Sequence, residues 1–307
     1  MSLEIDPNRI PKHFLIGVPK SGTTSLSIYL REHPNICFSQ PKETNFFATH
    51  FPDSYRKINT WEKYFQCFGH AKECETLVEG SVSYLHSPEA IKQILEYRPD
   101  AKFLVIIRNL IEVAQAHHSQ RLRSGDEDIQ DFEKAWRLQE QRREGKNIPK
   151  NCSMKEELLY HDLAKVGSQI TTLLSMVDRS RVRFLFFEDL KSAPRDLYLD
   201  TLSFLNIPDD GRKSFTIHNK NRSYKLKSIQ AFLHNLPSPI KKITTAIKQA
   251  FNINEFAVIT WWNSFNQKQV ERPPLREEFR NELIDIFREE VEIIESITER
   301  NLSHWKC

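Results

Sequence analysis

A parallel α/β fold is predicted by three features of the sequence: four apolar runs of strand length, a helical pattern after each, and a glycine-bearing turn between the first run and its helix. The runs are HFLIGV (13–18), TLVEGSV (76–82), KFLVIIR (102–108) and VRFLFFE (182–188). Runs of this kind suit strands buried on both faces by helices. Helical patterns follow at 24–31, 87–96, 111–123 and 193–205. Strand and helix in alternation, joined by right-handed crossovers, leave few ways to wind the sheet.

Between the third and fourth runs the chain reads as helix. DFEKAWRLQEQRR is amphipathic, and KEELLYHDLAKVGSQITTLLSMV sets Leu158, Leu159, Leu163, Val166, Ile170, Leu173 and Leu174 near one face. The expectation is an inserted helical layer. Towards the end, Phe279, Leu283, Ile286, Phe287, Val291, Ile294 and Ile297 recur at spacings of three and four, a closing helix with one buried stripe. Residues 206–275, with NKNRSYKLKS, NLPSPIKK and WWNSFNQKQVERPP, are the least regular and are expected to hold loops facing a ligand. No repeat or low-complexity linker divides the chain, so 1–307 is expected to form a single domain with a helical extension.

The charge balance narrows the function. A formal net charge of +3 and a pI near 8.5 favour a small anion but fall short of a nucleic-acid footprint. The five cysteines (Cys37, Cys67, Cys74, Cys152, Cys307) are scattered, odd in number and without a CxxC pair, so neither a zinc site nor a disulfide framework is indicated. MSLEIDPNRIPKHFLIGVPKSG has no signal-peptide pattern, and no run approaches the roughly 20 apolar residues of a membrane span. The expectation is a cytoplasmic protein with no membrane partner. Oligomeric state is not readable from the sequence.

FLIGVPKSGTTSL, residues 14–26, resembles a phosphate-binding loop with its lysine displaced. In a Walker A loop, G-x-x-x-x-G-K-[ST], the lysine follows the second glycine. Here Gly17 and Gly22 fit, but Thr23 stands at the lysine position and Lys20 lies inside the loop. Main-chain N–H groups at a helix start, with the helix dipole, make an anion cradle. Lys20 adds a point charge, Ser21, Thr23 and Thr24 add hydroxyls around Gly22, and Ser25 follows in the helix. One short phosphate chain fits this cradle better than a magnesium triphosphate, because the third run ends in Arg108 rather than a metal-binding acid. The plain alternative is a strand-to-helix turn with an exposed lysine.

PKSGTTSL, QPKETNFF, RNLIEVAQAHH, FLFFEDLKSAPRDLYLDTLSFLNI and RPPLREEFRNELIDIFREEVEIIESITERNLSHW, in that order over most of the chain, resemble landmarks of the PAPS-dependent sulfotransferases. The likeness is to the branch of the heparan-sulfate enzymes and their bacterial relatives. It implies a P-loop-type fold that binds 3′-phosphoadenosine 5′-phosphosulfate (PAPS) as co-substrate, without metal, and sulfates a small-molecule or saccharide acceptor. By the same resemblance the first loop takes the 5′-phosphosulfate, Arg108 the 3′-phosphate, and Lys220 and Arg222 belong to a late loop closing on that phosphate. Glu43 is implied as the base, with Lys20 neutralising the leaving group. A free glutamate titrates near pH 4.3, and burial beside Phe46 and Phe47 is expected to raise it.

Two departures stand out. Ala116 replaces a serine usual eight residues after the arginine, leaving Gln115, His117 or Ser119 as substitutes. Glu79-Gly80-Ser81 replaces Glu-Lys-Ser, so one cation is missing. Lys42 is a candidate for acceptor or leaving-group contact, and His117 and His118 for packing, a phosphate contact or base catalysis. Trp261 and Trp262 suit an acceptor cleft or a core. Two other functions stay open: a P-loop kinase for a small molecule, and an inactive nucleotide-binding relative.

Overall fold

The computed structural model describes residue 6 and residues 9–53, 55–72, 75–216, 222–224, 267–269, 272 and 274–307. Its centre is a five-stranded sheet of β1 (His13–Gly17), β2 (Ile36–Phe38), β3 (Thr76–Glu79), β4 (Lys102–Ile107) and β5 (Val182–Phe186). The spatial order is β2-β3-β1-β4-β5 and every neighbouring pair is parallel. The four runs anticipated from sequence are strands, and the short ICF segment adds a fifth at the edge.

Alternation along the central strands feeds two cores. Phe14 and Ile16 on β1, with Phe103, Val105 and Ile107 on β4, face one; Leu15, Leu104 and Ile106 face the other. Both faces are apolar because helices cover both, which is why these strands read as continuous rather than alternating.

The second face is covered by α1 (Thr23–Arg31) and a helix at Pro194–Leu205, through Leu26, Leu30, Leu197 and Leu202. The first face carries α2 (Trp61–Gln66), α3 (Pro88–Tyr97), α4 (Leu110–Ser124) and the inserted layer. That layer is more broken than its leucine pattern suggests. It contains α5 (Phe132–Arg137), α6 (Gln139–Arg143), α7 (Tyr160–Leu163) and α8 (Val166–Met176). The leucine stripe runs on across Lys165, but the backbone there leaves the helical region, at φ −74° and ψ 60°.

A buried ion pair pins the layer. Arg142 donates to both carboxylate oxygens of Glu127, at 2.6 and 2.8 Å, and Tyr160 donates to the same group at 2.5 Å. After β5 come α9 (Phe187–Ser192) and α10 (Pro194–Leu205), and the closing helix α11 (Glu277–Thr298) packs on α8 and α4. Its buried stripe includes Phe279, Leu283, Phe287, Val291 and Ile294 as expected, but Ile284 takes the inward place and Ile286 is exposed.

Within 206–275, β6 (Arg222–Tyr224) pairs antiparallel with β7 (Gln267–Gln269). Lys220, Trp261 and Trp262 lie outside the described residues, and Arg222 is described only as backbone of β6. Among the described residues, no helix is long and apolar enough to cross a membrane.

Candidate active site

The turn from β1 to α1 is held in shape by its neighbours. A Cβ on Gly17, whose φ is +143°, would lie 2.5 Å from the main-chain oxygen of Ile106 on β4, so only glycine fits. Gly22 caps α1 in the left-handed region at φ +93°, and a Cβ there would meet Leu190 at 2.5 Å. Lys20 also has a positive φ, 65°. For a residue with a Cβ this is an uncommon conformation, and Arg108 holds it by donating a 2.7 Å hydrogen bond to the Lys20 main-chain oxygen.

The loop hydroxyls divide into two sets. Thr23 and Thr24 line a cavity of about 430 Å³, together with Lys20 and Gly22. Ser21 is fully buried and spends its hydroxyl on the Val18 carbonyl at 2.7 Å, and Ser25 is buried and shares a hydrogen bond with Tyr29. These two shape the loop and are not part of the cavity lining.

Positive charge gathers around the cradle. Arg108, Arg123, Lys191 and Arg272 line the same cavity. Burial, with Arg123, Arg272 and Arg108 adding repulsion, pushes the Lys20 ammonium down to about 8 against the pull of Glu43. Burial and Arg108 likewise bring Arg272 down to about 10. Cations that depress one another are relieved by an anion between them. Arg108 stacks over Phe187 at 4.3 Å, and its fork is also held by Glu112, at 2.8 and 2.5 Å. The surface-carboxylate pairing therefore exists alongside the cavity position.

Glu43 also lines this cavity, from the segment after β2. The expected burial against phenylalanines is not found. Phe46 and Phe47 turn inward to pack on Trp61 and Tyr64, whereas the Glu43 side chain is 41% exposed. Its fixed partner is Lys42, whose ammonium lies 2.9 Å from Glu43 and donates to the Thr23 hydroxyl at 3.1 Å. A side chain at Gly80 would begin 2.7 Å from the Phe38 ring and 3.3 Å from the Lys42 stem. The cation absent at 80 and the lysine present at 42 thus occupy adjoining space.

The segment bearing Glu43 is anchored from below by Glu79. This fully buried carboxylate accepts hydrogen bonds from the hydroxyls of Thr44 (2.6 Å), Tyr64 (2.7 Å), Tyr84 (2.7 Å) and Ser81 (2.8 Å). Burial raises its pKa against these four donors.

The same cavity is also lined by Tyr55, His86, His117, Gln120, Arg121 and Glu157. Glu157 comes from the inserted layer, a placement the sequence alone did not give. Burial works against its ionisation, but His117 and Arg121 outweigh it and hold the carboxyl well below the usual range. Burial brings His86 down to about 4, so that ring is neutral near pH 7. His118 Nε2 donates to the Ile129 carbonyl, 2.9 Å away, and the ring faces Phe132 and Tyr160, a packing role. Ala116 is fully buried in the core; of its three anticipated substitutes only His117 reaches the cavity.

A crystal structure of a sulfotransferase from Alicyclobacillus acidocaldarius superposes with a TM-score of 0.71, covering 97% of this chain and 99% of that one at 21% identity, which shows a common fold. The membrane-associated sulfotransferase kil1 of Dictyostelium discoideum is 27% identical over 112 residues, 36% of this chain and 23% of that protein. The human bifunctional heparan sulfate N-deacetylase/N-sulfotransferase 3 is 32% identical over 102 residues, 33% of this chain and 12% of that protein. The matched stretch thus spans less than a quarter of either curated relative. The sulfotransferase domain family model matches residues 11–274, and the chain belongs to that family.

Proposed function

We propose that this protein transfers a sulfuryl group from PAPS to a hydroxyl or amine of a small metabolite or saccharide. The observation that carries the reading is one cavity lined both by Lys20, Gly22, Thr23, Thr24, Arg108 and Arg272 and by Glu43. Anion-holding groups and a carboxylate in one enclosure are what an in-line transfer between oxygens requires. The crowded cations, which depress Lys20 and Arg272, fit a ligand with two separate anionic groups better than one with a single phosphate.

When bound, PAPS supplies the activated sulfuryl group; the rest of the chemistry belongs to the chain. The helix start at Gly22 and the hydroxyls of Thr23 and Thr24 orient the 5′ end, and Lys20 neutralises the charge that grows on the leaving phosphate. Arg108 takes the 3′-phosphate, exchanging its exposed bond to Glu112 for a more strongly charged partner. Lys220 and Arg222 would close on that phosphate. Glu43 receives the proton of the attacking group, and Lys42 fixes its orientation. With Arg108 rather than a metal-binding acid at the end of β4, the kinase reading lacks its usual Walker B carboxylate.

Calorimetry tests this directly, with adenosine 3′,5′-bisphosphate in EDTA beside magnesium-ATP. Metal-free binding of the bisphosphate is expected, lost on Lys20→Ala. Glu43→Gln should bind it normally and turn over about 10²–10⁴-fold more slowly, the usual worth of general-base catalysis. Heat from magnesium-ATP alone would move the protein to the kinases; full turnover by Glu43→Gln would remove Glu43 from its role.

A further inference from the structure

We infer that Lys191 is a further donor-binding residue, taking the 3′-phosphate beside Arg108, and that Arg300 positions it by holding its helix. The inference rests on the sulfuryl-transfer reading and adds two residues to it.

β4 and β5 pair up to their last residues, Ile107 with Phe186, so Arg108 and Phe187 leave the sheet side by side. They do so at its carboxyl edge, where open parallel sheets bind ligands. Both line the cavity, and the Arg108 guanidinium lies 4.3 Å from the centre of the Phe187 ring. α9 starts at Phe187, and Lys191 follows four residues later on the same face of the helix. Its ammonium lies 5.5 Å from the centre of the same ring, and its side chain lines the same cavity. Two cations thus share one aromatic base at one edge of the site.

Lys191 has no counter-charge of its own. It makes no hydrogen bond or ion pair among the described residues, although its helix carries two carboxylates. Asp189 is taken by Arg300, and Glu188, three residues before Lys191, forms no ion pair with it. Two like charges drawn to one ring repel each other, and an anion within reach of both relieves the repulsion. The flexible stem of a lysine lets its ammonium swing from the ring to such an anion. The 3′-phosphate assigned to Arg108 is the anion at this edge, and it has oxygens enough for a fork and a point charge together.

What aims Lys191 is the opposite side of the same helix. Asp189 lies two residues beyond Phe187, about 200° round the helix and so on the far side from Phe187 and Lys191. Arg300, from the segment after α11, donates to both carboxylate oxygens of Asp189, one of them at 2.8 Å, and stacks over Phe186 at 4.1 Å. Elsewhere α9 touches the anion loop: the space of a Cβ on Gly22 is filled by Leu190 and Phe187, 2.5 and 3.0 Å away. The short helix is held between the loop and Arg300, and removing Arg300 frees it to turn and carry Lys191 off the site. The Arg300–Asp189 pair is about a third exposed, so it contributes little to overall stability and its effect is directional.

Titration calorimetry of adenosine 3′,5′-bisphosphate and of adenosine 5′-monophosphate, which lacks only the 3′-phosphate, tests both assignments. A weakly binding monophosphate is measured by displacement of the bisphosphate. Lys191→Ala should weaken the bisphosphate about tenfold, the lower end for a charge-assisted bond because the ammonium is exposed, and leave the monophosphate unchanged. Lys191→Arg, which keeps the charge, should bind within about threefold of the wild type. Arg300→Ala should lower bisphosphate affinity about three- to fivefold, part of what Lys191 supplies, with Arg300→Lys intermediate. Added to Lys191→Ala, it should bring no further loss, whereas a merely structural role would weaken both nucleotides and persist in the double variant. Unchanged bisphosphate affinity in Lys191→Ala, an equal loss for the monophosphate, or a Lys191→Arg variant as weak as Lys191→Ala overturns the assignment of Lys191; additive losses in the double variant overturn that of Arg300. A wild type that binds neither nucleotide, or binds the two equally, would instead defeat the donor reading, and this inference with it.

Discussion

Arg108 donates a 2.7 Å hydrogen bond to the main-chain oxygen of Lys20, so the side chain at the tip of β4 holds the strained residue at the centre of the loop after β1. The same guanidinium is engaged by Glu112, whose side chain is half exposed. Truncation to Arg108→Ala should release the loop and lower bisphosphate affinity by more than tenfold. Glu112→Gln should do the reverse, because it removes the internal competitor for the fork, and affinity should be equal or a few-fold tighter. Titration calorimetry of both variants checks the pair of signs.

The depressed Lys20 ammonium makes anion binding dependent on pH. Its pKa is lowered to about 8 in the free protein, and a bound anion raises it again. Between about pH 8 and the ordinary lysine value, binding must therefore take up a proton. Affinity should be full below about pH 8 and decline as the pH rises beyond it. The free fold has the opposite dependence: the unfolded chain binds more protons in this window, so Lys20's contribution to stability improves as pH rises through it. Calorimetry in buffers of differing ionisation heat, run across that pH range, measures the uptake.

Glycine is required at two loop positions for different reasons. Gly17→Ala drives a Cβ into main chain at 2.5 Å, which cannot move without disturbing the β1–β4 pairing. Gly22→Ala meets a leucine side chain that can rotate, and adds a left-handed alanine. The first should cost about 3 kcal/mol or more and the second about 1–3 kcal/mol, ranges for overpacking and backbone strain. Urea unfolding should rank them in that order.

Glu79→Gln leaves four hydroxyl donors facing an amide that accepts through only one oxygen. The expected loss is about 2–4 kcal/mol, from charge-assisted bonds and the desolvation of unmatched groups. Because Thr44 is one of the four, turnover should fall more than bisphosphate affinity. Denaturation with parallel kinetics separates the two effects.

Within the inserted layer, Arg142→Met strands the buried Glu127 carboxylate and should destabilise by about 3–5 kcal/mol. Adding Glu127→Leu should restore only part of the loss, because Tyr160 and the main-chain N–H groups of Asp128 and Ile129 also donate to that carboxylate. A double variant no better than the single would show that the bidentate geometry itself matters.

Much of the fold was legible because the central strands are apolar on both faces and glycine punctuates the first turn. The parallel strands and the helices on either side follow from periodicity, and α1 begins one residue before its expected start. The break at Lys165 was hidden, since leucine spacing continues through it and only the packing of α8 against α11 sets where the helix restarts. Around the loop, Lys20, Thr23, Thr24 and Arg108 are local in sequence to the strands that present them. Lys191 and Arg272 are not, and nothing in a polar stretch marks which cation will be folded inward. Ser21 and Ser25 illustrate the converse: their place in the motif suggests ligand contact, but the helix turn directs both into the protein. The place of Glu157 in the cavity lining depends on that residue meeting His117 and Arg121 of α4 from a distant segment, a tertiary coincidence that spacing does not encode.

Lys42 donates to both Thr23 and Glu43, residues of two different segments that line one cavity. The two segments are therefore mechanically coupled, and information about occupancy at one can reach the other before any second ligand arrives. An anion settling at Thr23 competes for the Lys42 ammonium, and every bond it wins loosens the hold on Glu43. Under the proposed transfer, this coupling predicts that the donor binds before the acceptor. Amide hydrogen exchange across 40–47 would register it as a change on adding bisphosphate alone, and an unaltered rate there would mean the segments act independently.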